Sequence, residues 1–238
     1  MSLHSPTSLR LDRILANVGL GSRADARRLV HAGRVSIDGV VATNPAAKAD
    51  ARAVTVDGVA LEAPDGLLVA LHKPVGYVCS HDDRDGPRVW ELLPPRWLDR
   101  HPRPTTIGRL DKDSTGLLLV TDVLPLVHAL TSPRHHVAKR YVVTVDRPLH
   151  DGDALIARFG SGTLLLRGDP EPCRPAELRV LDTQTLEVVL TEGRHRQVRR
   201  MFAACGYEVV TLVRTAMGPY VLGALAPGDW RYEDVTVR

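Results

Sequence analysis

Apolar residues recur at helical spacing at Leu11, Ile14, Leu15 and Val18, and the run stops at Gly19 and Gly21. This pattern predicts a short first helix. Ser22 followed by Asp25 forms a capping box, with Asp where Glu or Gln is commoner, and the run through Arg27, Arg28, Leu29 and Val30 ends at Gly33. A second short helix is expected there. The period then changes: Val35-Ser-Ile-Asp-Gly-Val-Val41 reads as two strands about an Asp-Gly hairpin turn, and a further apolar pulse at Val54-Thr-Val56 precedes Asp57-Gly58. Ala63-Pro-Asp-Gly66 has the composition of a linker. Beyond it, strand-like pulses at 67–71, 117–121, 141–145, 186–190 and 209–213 outnumber helical patterns. These predict an α+β fold: a small N-terminal unit, then a larger one on an extensive mixed, mainly antiparallel sheet with flanking helices. The expected organisation is a flexible tail over 1–7, a first unit over 8–62, a linker over 63–66 and a second unit over 67–238. One amphipathic helix stands out downstream, across Glu192 to Gly206. Val198, Met201, Phe202 and Cys205 share one face there, while Arg196, Arg199 and Arg200 share another.

A chain of 238 residues, 44% of them hydrophobic, can bury one large core and a small satellite core. It contains no apolar run of 18 residues, and Met1 to Leu9 lacks the apolar centre of a signal peptide. A soluble, cytoplasmic protein with no membrane partner is expected. Cys79, Cys173 and Cys205 are odd in number and widely spaced, which favours plain thiols over a disulfide framework or a zinc site. The net charge of +3 says little, but its distribution says more. Arg10, Arg13, Arg23, Arg27, Arg28 and Arg34 face only two aspartates between Ser8 and Arg34, and Arg194, Arg196, Arg199 and Arg200 form a second cluster. Two basic patches suit two contacts with one long polyanion, although either alone reads equally well as a solvated face.

Candidate chemistry concentrates at 107–122, where a polar loop carrying Asp111 and Asp113 runs into the apolar Leu117 to Val120. An aspartyl phosphotransferase motif needs its strand before the acids, and here the strand follows. A hard cation would need more converging oxygens than these acids and Asp82, Asp83 and Asp85 supply, so no metal site is expected. Asp-Ser-Thr-Gly from Asp113 favours a turn in which side chains bind backbone amides. Asp111, between Arg109-Leu110 and Lys112, is left with a catalytic and a structural role both open. On the strand Lys139 to Val145, alternation puts Lys139 and Tyr141 on one face. With only 4% aromatic residues in the chain, a tyrosine beside a lysine is a base-stacking candidate as well as a core residue.

The segments Arg10-Leu-Asp-Arg-Ile-Leu-Ala16, Ser22-Arg-Ala-Asp-Ala-Arg-Arg-Leu29 and Gly33-Arg-Val-Ser-Ile-Asp-Gly39 resemble the S4 RNA-binding domain over the first quarter of the chain. Nearly the whole chain resembles the bacterial ribosomal RNA pseudouridine synthases that carry such a domain. The motifs are Leu71-His-Lys-Pro-Val-Gly-Tyr77, Gly108-Arg-Leu-Asp111, Thr115-Gly-Leu-Leu-Leu119, Lys139-Arg-Tyr141 and Gly193-Arg-His-Arg-Gln-Val-Arg-Arg200. The resemblance implies an isomerase without cofactor that detaches uracil from ribose at N1, turns it and rejoins it through C5. It assigns Asp111 as the catalytic aspartate, Tyr141 as the ring stacked on the target base and Arg199 as the basic partner of the aspartate. RNA contacts would fall to Arg10, Arg23, Arg27, Arg28 and Arg34 in the first unit. In the second they would fall to Lys73, Arg109, Lys139, Arg194, Arg196 and Arg200.

Thr131-Ser-Pro-Arg-His-His136 and Tyr77-Val-Cys-Ser80 favour the small-subunit branch of the family, whose usual target is uridine 516 of 16S ribosomal RNA. The partner would be ribosomal RNA or a subunit assembly intermediate, met by a monomer. A 23S target is the alternative within the family, and a non-catalytic ribosomal RNA-binding protein the alternative outside it. Three departures from the family pattern bear on substrate fit: His72 in place of asparagine, Arg196 where histidine is common, and Asp122 followed by Val-Leu-Pro.

Overall fold

A computed structural model describes residues 8–82 and 84–235; the expected tail over 1–7 and the acid Asp83 lie outside the described residues. The first unit contains β1 (Leu9–Arg10), α1 (Leu11–Asn17), α2 (Arg23–His31), β2 (Val35–Ile37), β3 (Val40–Val41), β4 (Lys48–Ala49), β5 (Val54–Val56) and β6 (Val59–Ala60). Helix α2 starts on the expected capping box, with Ser22 N donating to the Asp25 carboxylate at 2.8 Å and Asp25 N donating to Ser22 Oγ at 3.3 Å. Asp38 and Gly39, at φ 49° and 79°, make the tight turn between β2 and β3. Asp57 and Gly58 repeat it between β5 and β6, which completes a four-stranded sheet in the order β3-β2-β5-β6. Leu11, Ile14, Leu15, Ala26, Val30, Val35 and Val54 are the small core beneath.

The larger unit contains β7 (Leu68–Lys73), β8 (Thr105–Ile107), β9 (Thr115–Thr121), α3 (Leu124–Thr131), β10 (Lys139–Val145), α4 (Gly152–Gly160), β11 (Glu177–Val180), β12 (Thr185–Leu190), α5 (Gln197–Ala204), β13 (Val209–Met217), β14 (Tyr220–Val221) and β15 (Trp230–Tyr232). Seven strands run in the order β11-β12-β10-β13-β9-β7-β15, with β14 added to β13 and β8 to β9. Its pairings are antiparallel except β13 with β9, so the sheet is mixed and mainly antiparallel as expected. Both faces are covered. Leu118 and Val120 of β9 enter one core with Tyr141, Val198 and Phe202, whereas Leu117 and Leu119 enter a second with Leu126 and Met217. Burial on two faces is why β9 reads as a continuous apolar run rather than an alternating one.

The parallel contact is short, pairing Val213 with Thr115 and Arg214 with Gly116. A Cβ at Gly116 would lie 2.3 Å from Arg214 O, and the residue sits at φ +108°. Only glycine lets the two backbones approach there.

The expected linker is pinned. Arg100 and Asp122 form a buried ion pair at 2.6 Å; Asp122 also accepts from Leu67 N at 2.6 Å. Arg100 donates onward to Glu62 O at 3.0 Å and Ala63 O at 2.8 Å. Arg96 binds the Glu62 carboxylate at 2.8 Å, and His101 N donates to Asn17 O at 3.1 Å, so both units are fastened across residues 62–67. Among the described residues, no helix is long and apolar enough to cross a membrane.

Candidate active site

The loop from Gly108 to Ser114 is held from behind. Ser114 N donates to Asp111 O at 3.0 Å, closing a turn, and Gly76 N donates to Lys112 O at 2.8 Å. Beneath the turn, Lys73 is fully buried, with Nζ donating to Ser114 O at 2.6 Å and Pro74 O at 3.0 Å. Burial pushes its ammonium down to about 8, against the opposing pull of Asp113 and Asp111. This corrects the expectation for Lys73: it props the aspartate loop and offers no surface to RNA.

In front of the loop lies a cavity of about 370 Å³, lined among others by Arg109, Asp111, Lys139, Tyr141, Leu212 and Arg214. That is within the usual range for small-ligand sites, about 300 to 1,000 Å³. The Asp111 carboxylate makes no hydrogen bond or ion pair among the described residues and is half-buried. Tyr141 is buried to 9% exposure and pairs in the ladder with Arg214. Arg214 itself is 2% exposed; its Nε donates to Leu117 O at 2.8 Å, while its Nη2 has no partner. An unsatisfied guanidinium nitrogen is costly unless something polar completes it. Lys139 lies on the same strand face as Tyr141, as expected, and burial followed by the charge of Arg214 lowers its pKa.

The arginine helix is shorter than its pattern predicts. It begins at Gln197, because Arg196 adopts a left-handed conformation at φ 48° and Gln197 Oε1 accepts from Arg194 N at 2.9 Å. Arg194 and Arg196 therefore belong to the approaching loop. Val198, Met201 and Phe202 do face the core as their spacing implied. Arg199 does not pair with Asp111. Its Nη2 lies 3.3 Å from the Asp113 carboxylate and donates to Asp113 O at 3.0 Å, and its Nη1 donates to Val209 O at 2.7 Å. Arg196 joins the same carboxylate at 2.8 Å. Burial opposes ionisation of Asp113, but Arg196 and Arg199 outweigh it and hold the carboxyl below the usual range. Asp113 thus does more than turn chemistry: it ties the loop to α5.

The remaining basic residues divide by their partners. Arg194 and Arg200 both bind Asp169, at 3.0 and 2.5 Å, and Arg194 also donates to Glu171 O and Pro172 O. These two are committed to holding the segment 167–172. Arg10 and Arg27 share the fully buried Asp12, whose carboxyl their contacts pull down to about 2. Arg28 binds Asp25 and Arg34 binds Asp57. All four keep about half or more of the side chain exposed. Arg23 and Arg109 make no ion pair among the described residues. His72, at the first departure from the family pattern, places its ring nitrogens 2.7 Å from Leu225 O and 3.2 Å from Thr115 Oγ1, a strand-end brace.

Residues 67–204 match the RNA pseudouridylate synthase family, and residues 9–52 match the S4 domain. The chain belongs to the RNA pseudouridylate synthase family. It is 40% identical over 228 residues to the ribosomal small subunit pseudouridine synthase A of Escherichia coli (strain K12), covering 94% of this chain and 95% of that protein. Against the enzyme of the same description from Pasteurella multocida it is 38% identical over 232 residues, with the same coverage of both. The crystal structure of a pseudouridylate synthase, 35% identical, matches with a TM-score of 0.64 over 95% of this chain and 96% of that one. An RNA pseudouridylate synthase is an isomerase, and its cavity must hold a base while the base is detached and turned. In this member, the side chains gathered in that cavity are Asp111, Tyr141 and Arg214. Sequence reasoning missed Arg214, although an arginine inside the apolar strand Val209–Met217 was a usable signal.

Proposed function

We propose that this isomerase converts one uridine of small-subunit ribosomal RNA to pseudouridine, with Asp111 as catalytic carboxylate, Tyr141 as the stacking ring and Arg214 as the buried cation facing the reaction. The observation that carries this reading is the single cavity lined by the unpartnered carboxylate of Asp111, the ring of Tyr141 and the buried cation Arg214. The target nucleotide is extruded into the cavity, since its reacting atoms are inaccessible in a stack. The N1–C1′ bond breaks, the uracil turns, the C5–C1′ bond forms, C5 loses its proton and N1 gains one. Asp111 acts at the sugar, as nucleophile at C1′ or as proton acceptor, and Arg214 supplies a positive charge to the same cavity. Stacking on Tyr141 retains the free base, an interaction worth about 1–3 kcal/mol in comparable contacts.

The relatives named for the small subunit support 16S RNA over 23S RNA, with uridine 516 as the finer expectation. A monomer working in the cytoplasm on RNA or an assembly intermediate fits the exposed arginines of the S4 domain. Mapping pseudouridine in ribosomal RNA from cells with and without the protein tests the target. One small-subunit site should disappear, and loss of a 23S site instead would move the assignment to the large subunit. With purified protein, Asp111→Asn should abolish tritium release from C5-labelled uracil while retaining RNA binding. Absence of release by the unaltered protein from every ribosomal RNA form would favour a binding protein.

A further inference from the structure

Residues 76–82 and 84–90 fold back onto the aspartate loop. Lys112 Nζ donates to Asp85 O at 2.7 Å, Gly76 N donates to Lys112 O, and Cys79 Sγ lies 3.5 Å from both Leu110 N and Leu110 O. Side chains on this segment therefore have a fixed position relative to Asp111. The segment carries a ring stack: the His81 imidazole lies flat on the Trp90 indole, centroids 4.3 Å apart and planes 7° from parallel. Trp90 is buried and its Nε1 donates to Ser80 O at 3.0 Å, which fixes the indole plane. His81 is exposed, and no second ring covers its outer face among the described residues. Arg103, also exposed, makes no hydrogen bond or ion pair among the described residues, yet its charge acts on the imidazole. Partial burial of the inner face, then Arg103 and Arg88, lower the imidazole pKa, so the ring is neutral at neutral pH. Glu91 is engaged by Arg88 and Asp82 by Arg84, whereas the exposed Asp85 makes no side-chain hydrogen bond or ion pair among the described residues.

The parallel alignment covers the inner face of the imidazole with the indole and leaves its outer face open. It extends the stack outward and presents a flat ring to solvent, a platform on which an unpaired base of single-stranded RNA can stack. We propose that His81, backed by Trp90, is a second base-stacking site, taking an unpaired nucleobase of the substrate RNA that flanks the target uridine, with Arg103 on the adjoining phosphate. This rests on the functional reading above and adds to it a contact outside the catalytic cavity.

The test uses synthetic RNA fragments carrying the mapped target, with binding measured in the Asp111→Asn background. His81→Ala should weaken binding between about fivefold and a hundredfold, and His81→Phe should restore most of it. A single abasic substitution beside the target should weaken binding when His81 is present and add nothing in His81→Ala. The proposal is overturned if His81→Ala binds as tightly as its parent, if His81→Phe is as weak as His81→Ala, or if every abasic effect survives in His81→Ala. Turnover by the unaltered protein on the same fragments keeps the functional reading standing whichever way His81 falls. Absence of turnover on any ribosomal RNA removes both.

Discussion

Arg214 concentrates the conflict that makes this site a site. Its guanidinium is buried, one nitrogen is bonded to Leu117 O, another has no partner among the described residues, and the cavity it lines is also lined by the unpartnered Asp111. A buried cation with an unpartnered nitrogen on the wall of the cavity is a costly arrangement for a residue that only packs the core. Arg214→Met should therefore reduce single-turnover pseudouridine formation by about a hundred- to a thousandfold, the usual effect of removing one preorganised donor. RNA affinity should change less than threefold. Equal losses in turnover and affinity, measured by tritium release and by filter binding, would make Arg214 a binding contact instead. The same scale explains why Arg199 was a plausible reading of the sequence. It lies in a motif of four arginines within seven residues, and nothing in that motif tells which one reaches which aspartate. The answer depends on where α5 begins, and the left-handed Arg196 that starts it carries no glycine signal.

Among the elements, those with strong pulses were legible: β7, β9, β10, β12 and β13 lie where apolar runs placed them, and Asp38-Gly39 turns the expected hairpin, while the second hairpin at Asp57-Gly58 was not expected. Short edge strands such as β14 and β15 were not, because two or three residues at a sheet margin carry too little pattern to stand out. Helix α3 was hidden by Leu124-Pro125, a proline in its first turn where no amide is needed. The most consequential element contact is also invisible in the pattern: the crossing of β9 and β13 at Gly116. There the motif Thr115-Gly116 serves geometry, admitting the strand that carries Arg214. Gly116→Ala should destabilise the protein by about 3 kcal/mol or more, since both the contact and the backbone conformation exclude a side chain. Urea denaturation checks this, and a change under about 1 kcal/mol would show that β13 can withdraw freely.

For the whole molecule, the proposed function gives electrostatic grip to the S4 domain and chemistry to the larger domain. Most S4 arginines have a carboxylate partner, so their charge is partly spent within the fold, and among the described residues Arg13 and Arg23 are exposed exceptions. Arg23→Glu should weaken RNA binding and lower the slope of log affinity against log salt by about one or two. An unchanged slope in titrations across salt concentrations would place the RNA on another face. Between the two domains sits the Arg100–Asp122 pair, holding Glu62, Ala63 and Leu67 at once. A linker fastened in this way makes the spacing between grip and cavity a built-in length. Under the proposed function that length is a gauge: a uridine at the right span from an RNA feature held by the S4 domain reaches Asp111, and an identical uridine at another span does not.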